Sequence, residues 1–252
     1  MAHMEGIIVL LLGAVIGSFF NVCIYRLPRK ESVAYKPSHC PGCGSKLGVA
    51  DLVPVLSYLF LRGRCRHQGC EISPRYPLVE IITALLFLAA YINWGVSWHT
   101  ASMWVFLAML VLVSVIDIYH RIIPDEALLA ATIIGLPLLF LASLDYLISG
   151  VIGFFAAGLL LLVIAAVSRG GMGGGDVKLS AVMGLFLGWQ GVAVALFLSF
   201  LAGGVISILL LATKIKGRKD AVPFGPYLAL GGIIAAFYAE RIIAWYMGLS
   251  GL

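Results

Sequence analysis

The sequence predicts an all-α polytopic membrane protein of about eight transmembrane helices, with a small cytoplasmic zinc-ribbon-like domain between helices one and two. Three observations carry this. Of 252 residues, 62% are apolar and 12% charged, against about 45–50% and about 25% in soluble domains, and the mean hydropathy is +1.05. Apolar runs of membrane-spanning character recur almost to the end of the chain. One polar stretch, residues 28–76, interrupts them and holds Cys40, Cys43, Cys65 and Cys70. This composition excludes a soluble enzyme and a disordered chain.

Residues 1–5, with a second Met at Met4 directly before an apolar run, read as an expression scar and amino terminus. Helix one covers residues 6–27. It lacks a basic segment ahead of it, and Arg26, Arg29 and Lys30 come after its apolar run, so it is a retained helix that enters from outside and ends inside. Residues 28–76 form the cytoplasmic Cys-rich domain, which also carries Lys36, Lys46, Arg62, Arg64, Arg66 and Arg75. Residues 77–252 form the membrane part, seven helices over 78–93, 98–116, 127–142, 147–167, 177–189, 191–213 and 226–247.

With the amino terminus outside, this threading puts every Lys and Arg except Arg241 on the inner side. The outer loops, around Gly95, Ser143 and Gln190, carry neither residue. Trp94, Trp98, Trp189 and Trp245 fall at outer ends, as an interfacial belt requires, and Trp104 sits deeper. The net charge of +5 is therefore a sign of topology in membrane lipid, and no nucleic-acid partner is expected. The span 177–189 is short: 13 residues reach roughly 20 Å against a hydrocarbon core of about 30 Å. It is kept as a crossing because losing it would move Lys214, Lys216, Arg218 and Lys219 outside. The Gly-rich segment before it, or local thinning, makes up the length.

In the Cys-rich domain, Cys40-Pro41-Gly42-Cys43 and Cys65-Arg66-His67-Gln68-Gly69-Cys70 offer two thiolate pairs on tight turns, the donor set of tetrahedral zinc. A cytoplasmic setting keeps the thiols reduced. Four residues between the second pair of cysteines is a loose spacing, which leaves His39 or His67 as alternative ligands and a free-thiol loop as the plain alternative. A segment with few aliphatic residues gains stability from a metal staple. Cys23, inside helix one, reads as a small packing residue.

Among the twelve acidic residues, two stand apart. Asp117 closes the run Val111-Leu112-Val113-Ser114-Val115-Ile116, and Asp176 ends the stretch Gly170-Gly171-Met172-Gly173-Gly174-Gly175. The spans between them take the chain out and back, so both lie at the inner face although 59 positions apart. A carboxylate at the membrane midplane costs about 2.5–3.5 kcal/mol on insertion scales, so an acid beside an apolar run has a partner or a function. Two such acids sharing one proton meet the aspartic-protease condition, and glycines such as Gly173 and Gly175 leave room for an extended peptide substrate. The structural alternatives are an interfacial Asp117 paired with His120 or Arg121, and an Asp176 that caps a helix before Val177. Asp125 and Glu126, just after Pro124, read as first-turn acids facing a helix dipole.

From Gly17 onward the chain resembles the type IV prepilin peptidases. The resemblance rests on five blocks in order: Gly17 through Pro28; Asp51-Leu52-Val53-Pro54-Val55-Leu56-Ser57-Tyr58 with Arg75-Tyr76-Pro77-Leu78-Val79-Glu80; Asp117 through Ile123-Pro124-Asp125; Gly173-Gly174-Gly175-Asp176-Val177-Lys178; and Pro223 through Gly231. It implies that Asp117 and Asp176 are the catalytic pair of an intramembrane aspartyl peptidase in the bacterial inner membrane. Its substrates would be prepilin and pseudopilin precursors, whose leaders it removes at the cytoplasmic face. The long form of the family also methylates the new amino terminus with S-adenosylmethionine, through residues that spacing does not identify. This chain departs from the family at Gln68, which stands where the last knuckle cysteine is usual.

Two other classes compete. A secondary transporter or proton channel would use the aspartates as a relay, but such proteins carry internal repeats and midplane sites, whereas no repeat is visible and the acids lie at an edge. A membrane-anchored zinc-ribbon adaptor would explain the cysteines without calling for eight spans. Oligomeric state is not encoded in any of these features.

Overall fold

The computed structural model describes residues 2–35, 37–168, 171–213 and 222–250. Met1, Lys36, Gly170 and the basic run with Lys214, Lys216, Arg218 and Lys219 lie outside the described residues. The chain is 78% helical, with no strand among the described residues. It forms two compact units, Met1–Gly95 and Val96–Leu252.

In the first unit the long helices are α1 (Ala2–Arg26) and α3 (Arg75–Trp94), with the short α2 (Leu56–Phe60) between them in sequence. Helix α1 starts before residue 6, so its first turns run through the stretch set aside as a scar. It lies against α3 because Gly13 and Gly17 remove side chains from the contact. A Cβ on either would stand 2.7 Å from a backbone Cα, of Ala84 or Glu80, and small residues four apart are what permit such approach in lipid. The Asn21 amide of α1 donates to the Tyr76 carbonyl of α3 at 3.1 Å. Glu80 accepts from the Val55 N–H at 2.7 Å and so ties the Cys-rich segment to α3.

The second unit contains α4 (Trp98–His120), α5 (Asp125–Ala142), α6 (Leu144–Val167), α7 (Gly174–Ala212) and α8 (Gly225–Ser250). Helix α4 is its core: Phe106, Leu107, Leu110, Val113 and Ile116 are fully buried. Helices α6 and α7 pack backbone to backbone where Gly150 and Gly153 face Gly184 and Leu185. Turns at Gly95 and Ser143 fall where expected.

Among the described residues seven helices are long and apolar enough to cross a membrane, one fewer than the eight spans expected, and the difference lies in α7. Its 39 residues run without a loop, but Gly188 has φ 70 and ψ 174, a conformation that essentially only glycine adopts. The chain doubles back there. Gly175, in the first turn, lies against Ile123 in the loop that follows Asp117, and Gly203 lies against Phe224 and Tyr227, next to the Gly225 that bonds Asp117. A straight helix would hold residues 175 and 203 about 40 Å apart. The expected loop at Gln190 is therefore replaced by a one-residue reversal at Gly188, and Gln190 itself is helical. The first limb starts at Gly174, so the Gly-rich segment does lengthen the short span.

Candidate functional site

Helical period places Asp117. Phe106, Leu110 and Val113 line one face of α4, and Asp117 continues it one turn on, so the carboxylate points inward and is 5% exposed. The helix ends one turn later, capped at Arg121, whose φ of 55 is left-handed. Asp117 Oδ2 accepts from the Gly225 N–H at 2.9 Å. Gly225 opens α8, where backbone donors have no partner inside the helix and the dipole favours a negative charge. Among the described residues Asp117 has no ion pair with His120 or Arg121, both of which are exposed, so the interfacial alternative is not realised.

Asp176 stands in the first turn of α7 and is half-buried. It does cap its helix, but from the third position: Oδ2 accepts from the Gly173 N–H at 3.2 Å, as in the back-reaching half of a capping box. Capping and a place beside Asp117 are thus compatible. The turn is held by Gly175, where a Cβ would stand 2.9 Å from Ile123 Cβ in the α4–α5 loop. Gly173 is exposed, and a side chain on Gly174 would meet nothing within 4 Å. Close by, Lys178 Nζ pairs with both oxygens of Asp125 at 2.8 and 2.7 Å, so Asp125 has a cation as well as a helix dipole.

In the first unit the four cysteines converge, their sulfurs all within 4.8 Å of one another. Cys40 Sγ is 3.3 Å from Cys70 Sγ and Cys43 Sγ 3.7 Å from Cys65 Sγ. Tetrahedral zinc with Zn–S bonds of about 2.3 Å sets sulfurs about 3.8 Å apart, so the donor set fits a metal. Two similar turns build it, each closed by an antiparallel bridge, His39 with Lys46 and Arg64 with Glu71. Each has a left-handed glycine four residues after its first cysteine, Gly44 at φ 72 and Gly69 at φ 66. The first turn takes its second sulfur before that glycine and the second takes it after, so Cys70 reaches the cluster although Gln68 occupies the usual position. His67 is exposed and His39 packs edge-on against Tyr25, outside the sulfur set. Hydrogen bonding with the Ser45 side chain and backbone lowers the Cys43 thiol to about 6. Hydrogen bonding with Cys40, and burial, push Cys70 up to about 12. Four sulfurs this close cannot all ionise without a cation between them.

Two family models match the chain, the Bacterial Peptidase A24 N-terminal domain over residues 11–94 and the Type IV leader peptidase family over residues 104–208. A prepilin leader peptidase/N-methyltransferase of Bacillus subtilis (strain 168) is 38% identical, the match covering 96% of this chain and 98% of that protein. Proteins of the same name from Aeromonas hydrophila and Pseudomonas aeruginosa are 35% and 32% identical, over 95% and 96% of this chain and 93% of each relative. This chain belongs to the type IV leader peptidase family. No solved structure matches it.

The two matches divide the leader peptidase as its compact units do, the cysteines within 11–94 and both aspartates within 104–208. A peptidase family does not favour the transporter reading. Sequence reasoning missed Gly225, which lies beyond both matches; the Pro223-Phe224-Gly225-Pro226 block was the available signal. It also gave Lys178 no role, although a basic residue two positions after Asp176 was a visible mark.

Proposed function

We propose that this chain is an intramembrane aspartyl endopeptidase that removes the leader from prepilin and pseudopilin precursors, with Asp117 and Asp176 as its catalytic pair. The supporting observation is that the fold brings together two acids 59 positions apart: Gly175, next to Asp176, lies against Ile123 in the loop that follows Asp117. In a poorly polar site such a pair holds one proton. The ionised member takes a proton from water, whose oxygen attacks the scissile carbonyl carbon while the protonated member donates to the carbonyl oxygen. Collapse restores the C=O bond, breaks the C–N bond and delivers a proton to the departing amine. Gly173 and Gly175 border the peptide in this reading. Gly175 already has Ile123 against it, and Gly173 is the more open of the two.

The chain is a multi-pass membrane protein. The charge bias supports the bacterial cytoplasmic (inner) membrane, with the amino terminus outside and residues 28–76 in the cytoplasm, and we assign the peptidase domain to residues 77–252. Cys40, Cys43, Cys65 and Cys70 would hold one structural zinc. The relatives' names join leader peptidase to N-methyltransferase, and we extend both activities to this chain. S-adenosylmethionine, when bound, would supply the methyl group for the new amino terminus.

The test is purified full-length protein in detergent with a competent prepilin, comparing wild type with Asp117→Asn and Asp176→Asn. Cleavage by wild type and loss in both variants is expected. A leader that stays attached with wild type removes the peptidase reading.

A further inference from the structure

Nine of the thirteen residues 49–61 are Ala, Val, Leu or Phe, inside a Cys-rich segment that is otherwise polar. The stretch has two sides. Ser57, Tyr58 and Leu61 turn inward and line the cavity that α1 and α3 share with the cysteine turns. On the other side Leu56, Leu59 and Phe60, three and four positions apart on α2 and so on one face, are 52%, 62% and 84% exposed, and Val49 and Val53 just before them are 86% and 40% exposed. A bare apolar face of this kind on a segment outside the membrane helices marks a contact surface.

The height of this face along the first unit is fixed. The chain bends into α2 at Val55, whose φ 60 and ψ −51 are strained for a β-branched residue, and Glu80 Oε2 clamps the bend by accepting from the Val55 N–H at 2.7 Å. Glu80 stands five residues after Arg75, where α3 begins, which is about 7.5 Å along the helix. Its neighbours Leu78 and Ile81 are 56% and 42% exposed on a helix long and apolar enough to cross a membrane, so lipid already covers α3 at this level. The bare face of α2 continues that surface. Its edge is basic: Arg62 and Arg64 come next and are exposed, and residues 28–76 hold eight Lys and Arg against three Asp and Glu. Arg66, by contrast, pairs with Asp51 at 2.9 Å.

We propose that residues 49–60 dock on the lipid surface itself, with Leu56, Leu59 and Phe60 entering the acyl boundary beside α3 while Arg62 and Arg64 meet anionic headgroups. An apolar face bordered by cations is the make-up of an interfacial anchor, which sinks about 5–10 Å into the headgroup and acyl boundary and is drawn there by anionic lipid. The Cys-rich segment, polar enough to read as lying wholly in water, is then pressed against the bilayer through its one apolar stretch.

The experiment places photoreactive benzoylphenylalanine at one position of the full chain, reconstitutes it in vesicles of phosphatidylcholine and phosphatidylglycerol, and counts lipid adducts after irradiation by mass spectrometry. The positions are those of Leu59 and Phe60, with Leu85, 55% exposed on α3, as the lipid-facing reference and the exposed His67 of the second cysteine turn as the water-facing one. Positions 59 and 60 should give adducts within about threefold of position 85 and at least about tenfold above position 67. Adducts at 59 and 60 no more frequent than at 67 would overturn the proposal, and the crosslinked species then names the occupant: a second copy of the chain, residues after 96 of the same chain, or, with precursor added, a prepilin. Should the substituted chains not elute as one species, wild type decides. Labelled from within the bilayer by a diazirine on a lipid acyl chain, it should carry label in residues 49–61 and not in 64–72, and a label-free 49–61 would overturn the proposal.

Discussion

Replacing Gly225 by Ala tests how Asp117 is held. A Cβ at that position would stand 2.7 Å from Asp117 Oδ2 and 3.1 Å from its Cγ, closer than real side chains come, while the N–H bond to the same oxygen is 2.9 Å long. Neighbouring Pro226 and the buried α4 leave little freedom, so the carboxylate must turn and the bond is lost or bent. A hydrogen bond to a charged group contributes about 1.5–3 kcal/mol, and each 1.4 kcal/mol is about tenfold in rate. Cleavage of a prepilin by Gly225→Ala should therefore fall about 10- to 150-fold in kcat/KM. Gly174→Ala is the control, since its Cβ meets nothing within 4 Å, and it should stay within about twofold. The comparison is made on initial rates in detergent, with equal amounts of protein eluting as one species. Gly225→Ala that cleaves as fast as Gly174→Ala would refute the claim that this amide positions Asp117.

Asp117→Asn and Asp176→Asn each keep size but cannot cycle a proton, so each should lose cleavage by about 10³ or more in single-turnover assays; robust cleavage by either would disprove the paired mechanism. Metal analysis should find about one zinc per chain, and chelation should raise hydrogen exchange across residues 38–73; zinc near zero in carefully prepared protein would dismiss the metal, and zinc unaffected by Cys70→Ser would move the fourth ligand elsewhere. Gly188→Ala should destabilise the second unit by about 1–3 kcal/mol, read as a lowered unfolding temperature in detergent, because alanine must adopt a conformation only glycine takes freely; an unchanged melt would contradict the chain reversal.

The fold was legible wherever it depends on hydropathy and charge. Spans ending near Asn93, Ala142 and Val167 are bounded by polar residues or glycine, and the helices stop within a few positions of them. The reversal in α7 was displaced because Gly188-Trp189-Gln190-Gly191 offers a polar residue as the apparent loop, whereas the backbone turns on the glycine ahead of it. The aspartates could be found because an acid closing an apolar run is rare, and the inward side of Asp117 follows from counting along α4. Gly225 was passed over, since a backbone amide leaves no mark in side-chain chemistry and only its place in the Pro223-Phe224-Gly225-Pro226 block pointed to it. Cys70 was hard for a related reason: what brings it to the cluster is the left-handed glycine, and sequence spacing counts residues without registering a turn.

The amide that steadies Asp117 belongs to the last helix, which the ribosome makes after both acids. A nascent chain in which α4 and the first limb of α7 have already inserted thus has the two carboxylates but no clasp on the first. On the proposed pairing of the aspartates, the order of synthesis leaves the site unfinished until α8 docks and its Gly225 amide reaches Asp117.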